Sequence, residues 1–173
     1  MSSTRLILSI VYVFVSVCLS VCAAAALSSA VLPLLHGGGG GGRVVHIGSI
    51  SGQVLTSGEC PYAASKYALE ALADAMRLEL GASAAAAGSQ RIAVSLVQPG
   101  WVATPLCPPT ECPSAEGAGP VVEAVLHALR SPRPLSRYAV TSVDGVPTSV
   151  LLWLAWALPD YWQDMVVREF WDD

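Results

Sequence analysis

The chain lacks asparagine altogether, and Lys66 is the single lysine among its nine basic residues. Charged side chains make up only 13% of the 173 residues, and the formal net charge is −4. Because the basic residues are scattered along the sequence, we predict no nucleic-acid partner. The five cysteines form no C-x-x-C pair and have no histidine at zinc spacing, so we predict no metal site. We expect reduced thiols, with a bridge between Cys107 and Cys112 as the alternative in a secreted chain.

Residues 43–66 place candidate catalytic side chains after a strand and on the helix that follows it. The apolar run 44–47 has the length and composition of a buried strand. Ser49 follows this strand, and the Ala- and Leu-rich sequence from Tyr62 predicts a helix with Tyr62 and Lys66 on one face. Open α/β sheets bind ligands at the carboxyl ends of their strands, so we expect the three side chains to converge there.

These three side chains suit proton transfer coupled to hydride transfer. A free tyrosine has a pKa of about 10, and a nearby ammonium such as that of Lys66 favours the phenolate and lowers the pKa. Tyr62 could then serve as the general acid or base. The hydroxyl of Ser49 could donate a hydrogen bond to an oxygen that alternates between carbonyl and alkoxide.

The motifs carry a resemblance to a known family. Ser49 lies thirteen residues before the sequence Tyr62-Ala-Ala-Ser-Lys66, and Pro99-Gly100-Trp-Val102-Ala-Thr104 follows later. In this order and spacing they resemble the short-chain dehydrogenase/reductase family, from about residue 32 to the C-terminus. The resemblance implies an α/β fold, namely the C-terminal half of a Rossmann-type doubly wound parallel sheet, preceded by an apolar N-terminal helix.

The resemblance also implies an NAD(P)-dependent oxidoreductase and assigns a role to each motif residue. Tyr62 is the expected acid/base, Lys66 lowers its pKa and holds the nicotinamide ribose, and Ser49 orients the substrate carbonyl. The turn that begins at Pro99 approaches the nicotinamide of NAD or NADP. The expected cofactor contacts are Tyr62, Lys66, Pro99, Gly100, Val102 and Thr104.

Two further expectations concern the substrate and the partners. The apolar tail at residues 148–158 resembles the retinol- and hydroxysteroid-dehydrogenase branch, which implies a lipophilic alcohol or ketone. Packing of this tail on the chain's own core is the alternative. In the family, the amphipathic helix that we predict at residues 62–80 often packs against a second subunit, which implies a homo-oligomer.

Residues 6–35 carry no charged side chain, and three interpretations of this run stay open. It resembles a secretory signal, it exceeds the roughly 20 residues of a transmembrane helix, and its second part resembles the family's long buried helix. We favour a membrane-seeking or signal-like segment at 1–23 and a truncated Rossmann-type domain at 24–173, whose buried helix covers 24–35. The localisation is then membrane-associated, for example at the endoplasmic reticulum, or cytoplasmic.

Further elements follow from apolar patterning. Strands are expected at 91–97 and 137–141, parallel to the first strand. On the 67–80 helix, Leu69, Met76 and their neighbours form an apolar stripe, with Glu70 placed away from it. A small-residue loop is expected at 81–90 and an irregular, proline-rich loop at 106–120. A helix is expected at 121–129, with His127 as a partly exposed residue.

The first half of a dinucleotide fold has no counterpart in this sequence. A single βαβ unit takes roughly 30 residues or more, and only 42 residues precede Arg43. The family's helix asparagine is absent as well. We therefore expect this chain to bind NAD or NADP weakly or not at all. The alternative function is a truncated, non-catalytic relative or an incomplete gene model that acts, if at all, as a membrane-associated interaction protein.

Overall fold

The structure is a computed structural model, and it describes residues 15, 17–37, 42–55, 58–87, 91–105, 112 and 114–171. The helices are α1 Ala23–Gly37, α2 Cys60–Ala87, α3 Gly119–Arg130, α4 Thr148–Ala157 and α5 Asp160–Trp171. The strands are β1 Arg43–Ile47, β2 Ala93–Pro99, β3 Arg137–Val140, β4 Ser142–Val143 and β5 Val146–Pro147. A π-helical turn, Cys18–Cys22, precedes α1, and a 3₁₀ turn, Ile50–Gly52, follows β1.

The main sheet has three strands in the order β1-β2-β3, and both neighbouring pairs are parallel. Arg43 pairs with Ala93 and Ile47 with Val97, so β1 and β2 run side by side over five residues. The prediction of three neighbouring parallel strands is confirmed. The predicted strand 91–97 was placed two residues early, since β2 begins at Ala93 and ends at Pro99.

Helices cover both faces of this sheet because side chains alternate along each strand. Val94 and Leu96 of β2 pack with α1 and α2 on one face. Val97 packs with α3 and with Tyr138 of β3 on the other face. This arrangement confirms the predicted α/β architecture with a doubly wound parallel sheet and an apolar N-terminal helix.

The apolar stripe of α2 holds the larger core together. Leu69, Ala73, Met76 and Leu80 are buried against Val94, Leu96 and Ile92. Burial of a Leu or Met side chain contributes about 1.5–3 kcal/mol. The spacing of three and four residues had predicted this stripe, and the structure confirms it.

α2 is longer than the sequence predicted, because the expected loop at 81–90 is helical up to Ala87. Residues 82–87 are five alanines and one serine. Alanine has the highest helix propensity, so this run outweighs the cost of about 1 kcal/mol at Gly81. The loop prediction is therefore wrong for residues 81–87, and residues 88–90 lie outside the described residues.

α1 is only partly buried, in contrast to the expected core helix at 24–35. Ala24, Leu32 and Leu35 pack on the main core, whereas Leu27 and Leu34 are exposed. The continuous helix Cys18–His36 is long and apolar enough to cross a membrane, and 6% of it is buried. A signal sequence near the N-terminus has the same length and apolar composition. Both interpretations, a membrane-spanning helix and a signal sequence, therefore stay open.

The C-terminal part contains a hairpin that the sequence analysis missed. β4 and β5 are antiparallel, and both Asp144 and Gly145 between them have positive φ angles, 49° and 78°. An Asp-Gly pair is a typical two-residue hairpin turn because both positions require this conformation. After the hairpin, α4 buries Leu151 and exposes Trp153 and Trp156, so the tail packs on the core along one side only.

The predicted irregular segment 106–120 is described only in part, since residues 106–111 and 113 lie outside the described residues. Cys112 is part of a disulfide, so the expectation of reduced thiols is wrong for this residue. Cys18, Cys22 and Cys60 are free, as expected. Cysteine spacing cannot show which sulfur atoms lie close together in the fold. His127 is an exposed residue of α3, as predicted.

Candidate active site at the carboxyl end of the sheet

Ser49 follows the last residues of β1 and is buried. The ladder continues past the strand, because the Gly48 amide donates to the carbonyl oxygen of Val97 at 2.8 Å. Ser49 caps the 3₁₀ turn: its Oγ accepts from the Ser51 amide at 3.2 Å and lies 3.3 Å from Ser51 Oγ. These bonds orient the Ser49 hydroxyl at the edge where β1 ends.

Lys66 connects α2 to the same edge. Its ammonium lies 5.4 Å from the ring centroid of Tyr62, one helical turn earlier. The same Nζ donates to the carbonyl oxygen of Ile47 at 3.5 Å, two residues before Ser49. The predicted Tyr62–Lys66 pair is thus formed, and its cation lies at the end of β1.

The 3₁₀ turn that Ser49 caps lies directly against the helix that carries Lys66. A Cβ atom at Gly52 would stand 3.1 Å from the Lys66 carbonyl oxygen and 3.0 Å from Cγ of Glu70. A glycine therefore permits the close approach of the turn to α2. This approach holds Ser49 and Lys66 in one region.

Burial lowers the pKa of the Lys66 ammonium from its ordinary value of 10.5, because desolvation disfavours the charged form. Within the described part of the chain, Nζ has one hydrogen-bond acceptor, and that bond is long at 3.5 Å. An ammonium has three donors. Lys66 therefore has hydrogen-bonding capacity left for a ligand with hydroxyl or anionic oxygens.

The segment 99–104 continues β2 toward the hairpin. The Gly100 amide donates to the carbonyl oxygen of Val140 at 3.0 Å and lies 2.9 Å from Oγ1 of Thr141. A Cβ atom at Gly100 would stand 2.6 Å from Thr148 Oγ1 and 2.7 Å from the Ser142 carbonyl oxygen. Only glycine fits this position without displacing backbone.

Trp101 joins this segment to the turn after Ser49. It packs on a buried cluster of Ile50, Val143 and Leu151. Since Ile50 directly follows Ser49 and Trp101 directly follows Gly100, both predicted segments lie at one edge of the sheet.

The last two predicted cofactor contacts lie further along this segment. Val102 is half-buried and forms a parallel bridge with Glu116. Thr104 is exposed.

Glu70 lies away from the apolar stripe, as predicted, but the sequence analysis missed its burial, since only 7% of the residue is exposed. Its Oε1 accepts from Gln98 Nε2 at 2.7 Å, and its Oε2 accepts from Gln53 Nε2 and Arg137 Nε, both at 3.1 Å. Helical periodicity could not reveal this, since the partners come from other elements. Gln98, a polar residue within the apolar run of β2, was the available signal. The network fixes the helix turn after Lys66 against the end of β2.

The comparison with protein families shows to which family the chain belongs. A sequence profile described as short chain dehydrogenase matches residues 15–111, more than half of the chain. The chain belongs to the short-chain dehydrogenase family. The resemblance seen in the sequence is thereby confirmed at the level of the family. Membership of the retinol- and hydroxysteroid-dehydrogenase branch stays a prediction.

The curated relatives are bacterial. The chain is 40% identical over 116 residues to the "Uncharacterized oxidoreductase YbbO" of Escherichia coli strain K12, and equally to the protein of that name in Escherichia coli O6:H1. The match includes 59% of this chain and 40% of each relative. The chain thus spans about two fifths of the length of these relatives.

Solved structures show the same fold. A short-chain dehydrogenase from Streptomyces avermitilis has a TM-score of 0.62 and 25% identity, over 89% of this chain and 57% of that protein. A short chain dehydrogenase from Burkholderia cenocepacia J2315, solved in complex with NADP, has a TM-score of 0.55 and 22% identity. That match covers 75% of this chain and 48% of the other.

Proposed function

We propose that this short-chain dehydrogenase is an NAD(P)-dependent oxidoreductase that interconverts a lipophilic alcohol and the corresponding ketone. The observation that carries the proposal is the position of the Lys66 ammonium. It lies 5.4 Å from the Tyr62 ring centroid and within hydrogen-bonding distance of the strand end that precedes Ser49. This arrangement provides a cation, a phenol and an oriented hydroxyl at one edge of the sheet.

Each of the three residues has one task in the proposed reaction. The Lys66 cation favours the phenolate of Tyr62 and so lowers the pKa of the phenol. Tyr62 takes the hydroxyl proton of an alcohol, or returns a proton to the oxygen of a ketone. Ser49 donates a hydrogen bond to the same oxygen and stabilises its alkoxide character. A nicotinamide cofactor held at this edge by Lys66 would accept or supply the hydride.

The described residues fit the nicotinamide end of the cofactor. Lys66 retains donors for the ribose hydroxyls, and the Pro99–Gly100 segment that continues β2 lies at the same edge. The NADP bound by the Burkholderia protein supports a nicotinamide cofactor of this class. The expected contacts all concern the nicotinamide end of the cofactor. They are Tyr62, Lys66, Pro99, Gly100, Val102 and Thr104. We therefore propose weak binding of NAD or NADP by the 173-residue polypeptide.

Exposed aromatic side chains support a lipophilic substrate and a location at a membrane. Trp153 and Trp156 of α4 are 60% and 82% exposed, and Tyr161 of α5 is 72% exposed. Trp and Tyr are enriched at membrane–water interfaces because their rings are apolar and carry one polar group. The apolar helix Cys18–His36 supports the same location.

The decisive experiment compares two tyrosines of α2. Tyr62→Phe removes the proposed acid/base, whereas Tyr67→Phe removes a hydroxyl that donates to the Gln53 carbonyl oxygen at 2.7 Å. With NADPH or NADH at millimolar concentration and a panel of lipophilic ketones, we expect slow ketone-dependent oxidation of the cofactor by the wild type. Tyr62→Phe should reduce it by about a hundredfold to ten-thousandfold, and Tyr67→Phe should leave it nearly unchanged.

The same experiment can refute the proposal. Equal turnover by the wild type and Tyr62→Phe would exclude Tyr62 as the acid/base. No turnover by the wild type with any ketone or alcohol would favour the alternative, a non-catalytic relative that acts through membrane or protein contacts.

A further inference from the structure

Four of the nine basic residues line one cavity at the opposite end of the sheet. The basic residues look scattered in the sequence, but the fold brings Arg43, Arg77, Arg91 and Arg133 together. The cavity has a volume of about 610 Å³, and no Asp or Glu is among its lining residues. This is within the range of small-molecule sites, roughly 300–1,000 Å³.

The cavity is remote from the proposed active site. Arg43 begins β1, and the cavity is also lined by residues 91–94 at the start of β2 and by residues 132–136 just before β3. Ser49 and Pro99 lie at the other ends of the strands. At about 3.3 Å per residue, a strand of six or seven residues separates the two ends by roughly 20 Å.

Two of the four guanidinium groups are hydrogen-bonded to the fold, and a third lies close against it. Arg43 Nη2 donates to the Ser131 carbonyl oxygen at 2.8 Å. Arg77 Nη2 donates to Asp74 Oδ1 at 3.1 Å. The guanidinium of Arg91 lies over α2 where Gly81 leaves space, since a Cβ atom there would stand 2.9 Å from Arg91 Nη2. These arginines are therefore partly ordered before any ligand arrives.

One donor of this cluster lacks an acceptor. Arg77 Nε is buried and has no hydrogen-bond partner among the described residues. The acid paired with Arg77 is Asp74, and the other oxygen of Asp74 is held by Arg137 at 2.6 Å. One shared carboxylate cannot neutralise four guanidinium groups, so the cluster keeps a positive charge.

We propose that this cavity binds a small ligand with several phosphate charges. Guanidinium groups bind phosphate oxygens through paired, charge-assisted hydrogen bonds. Four arginines around one open cavity match an oligophosphate rather than a single charge. The phosphates could belong to a free compound or to a phosphorylated lipid headgroup, and the chemistry of the contact is the same.

The test uses the full 173-residue chain and pyrophosphate as the probe, measured by titration calorimetry. Arg133→Gln and Arg130→Gln are a matched pair, since both arginines are exposed and lie three residues apart, but only Arg133 lines the cavity. We expect saturable binding by the wild type, about tenfold weaker binding by Arg133→Gln, and unchanged binding by Arg130→Gln. The double variant Arg91→Gln/Arg133→Gln should lose binding further.

Control probes separate the possible outcomes. No binding of pyrophosphate, or an equal loss in Arg130→Gln, would overturn the proposal, since the second result indicates nonspecific attraction of charge. Citrate that binds as tightly as pyrophosphate would overturn the assignment to phosphate.

Sedimentation with phosphatidylcholine vesicles, with and without phosphatidylinositol bisphosphate, identifies the source of the phosphate groups. If the phosphorylated lipid increases sedimentation with vesicles and Arg133→Gln abolishes the increase, the ligand is a lipid headgroup. If the lipid has no effect although pyrophosphate binds, the ligand is a free compound. None of these measurements depends on dehydrogenase activity.

Discussion

The two ends of the three-stranded sheet are built in different ways. At the carboxyl end, buried polar groups and glycines make close contacts: Gln98 is 1% exposed, and Gly100 leaves no space for a methyl group. At the amino end, arginines surround an open cavity, and Arg91 and Arg133 are exposed. The structure of the carboxyl end depends on close packing, whereas the binding capacity of the amino end depends on positive charge. Substitutions at the carboxyl end should therefore change stability and turnover, whereas those at the amino end should change anion binding.

The largest effect is expected for the cation of the proposed active site. Lys66→Ala removes the charge beside Tyr62, so turnover should fall by a hundredfold or more, and cofactor binding should weaken. In the proposed mechanism this cation favours the phenolate of Tyr62, so the alcohol oxidation that remains in Lys66→Ala should require a higher pH than in the wild type. Lys66→Arg, which keeps a positive charge, is the control. The measurement is the pH–rate profile of alcohol oxidation at saturating alcohol, and an unchanged profile in Lys66→Ala would contradict the mechanism.

The next effect concerns the buried network at the carboxyl end. Glu70→Leu would leave Gln98 Nε2 and Arg137 Nε without their acceptor, and we expect a loss of about 2–4 kcal/mol in the free energy of unfolding. Glu79→Leu, at an exposed position of the same helix, should change it by less than about 0.5 kcal/mol. Urea unfolding measures both. Similar values for the two variants would show that the network contributes little.

A smaller loss of stability is expected at Gly100. Gly100→Ala would place a methyl group against the Ser142 carbonyl oxygen, a backbone atom that cannot move alone, and should cost about 1–3 kcal/mol. Gly117→Ala is the matched control, since a Cβ atom there meets nothing within 4 Å. Thermal unfolding compares the two. A melting temperature of Gly100→Ala equal to that of Gly117→Ala would mean that the hairpin yields to the added methyl group.

Local sequence patterns predicted the helices and strands. Features that depend on contacts between distant residues could not be predicted in this way. The short apolar runs at β1, β2 and β3 marked the strands, because a strand buried on both faces reads as a continuous apolar segment. The stripe from Leu69 to Leu80 marked the core face of α2. The burial of Glu70 was missed because its partners, Gln98 and Arg137, are distant in sequence. The arginine cavity was missed for the same reason.

For the candidate site, the sequence predicted which residues lie at one edge of the sheet, but not the contacts between their side chains. Tyr62 and Lys66 were paired from helical spacing, and the structure places the Lys66 ammonium over the Tyr62 ring. The close approach of Gly52 to α2 follows from packing between two elements and has no local signature. The catalytic roles of Ser49, Tyr62 and Lys66 stay predictions that the substitutions above test.

The smallest effect is expected at Asp74, which bonds to Arg77 at the cavity and to Arg137 of the buried network. Burial alone would raise the pKa of the Asp74 carboxyl, but hydrogen bonds from Arg137 and Arg77 outweigh it and hold the pKa below its ordinary value of 3.8. Since the unfolded chain binds this proton more readily, the stabilisation is complete above pH 3.8 and is lost as the pH falls through the lower native value.

Asp74→Asn removes this pH-dependent contribution. Because the carboxyl is partly exposed, the variant should be less stable than the wild type by at most about 1 kcal/mol at neutral pH. The difference should shrink as the pH falls below 3.8. Asp164→Asn makes the same charge change at an exposed position of α5 and serves as the control. Urea unfolding at neutral and acidic pH is the measurement. A difference between wild type and Asp74→Asn that is constant with pH would show that the ion pairs with Arg77 and Arg137 do not stabilise the fold.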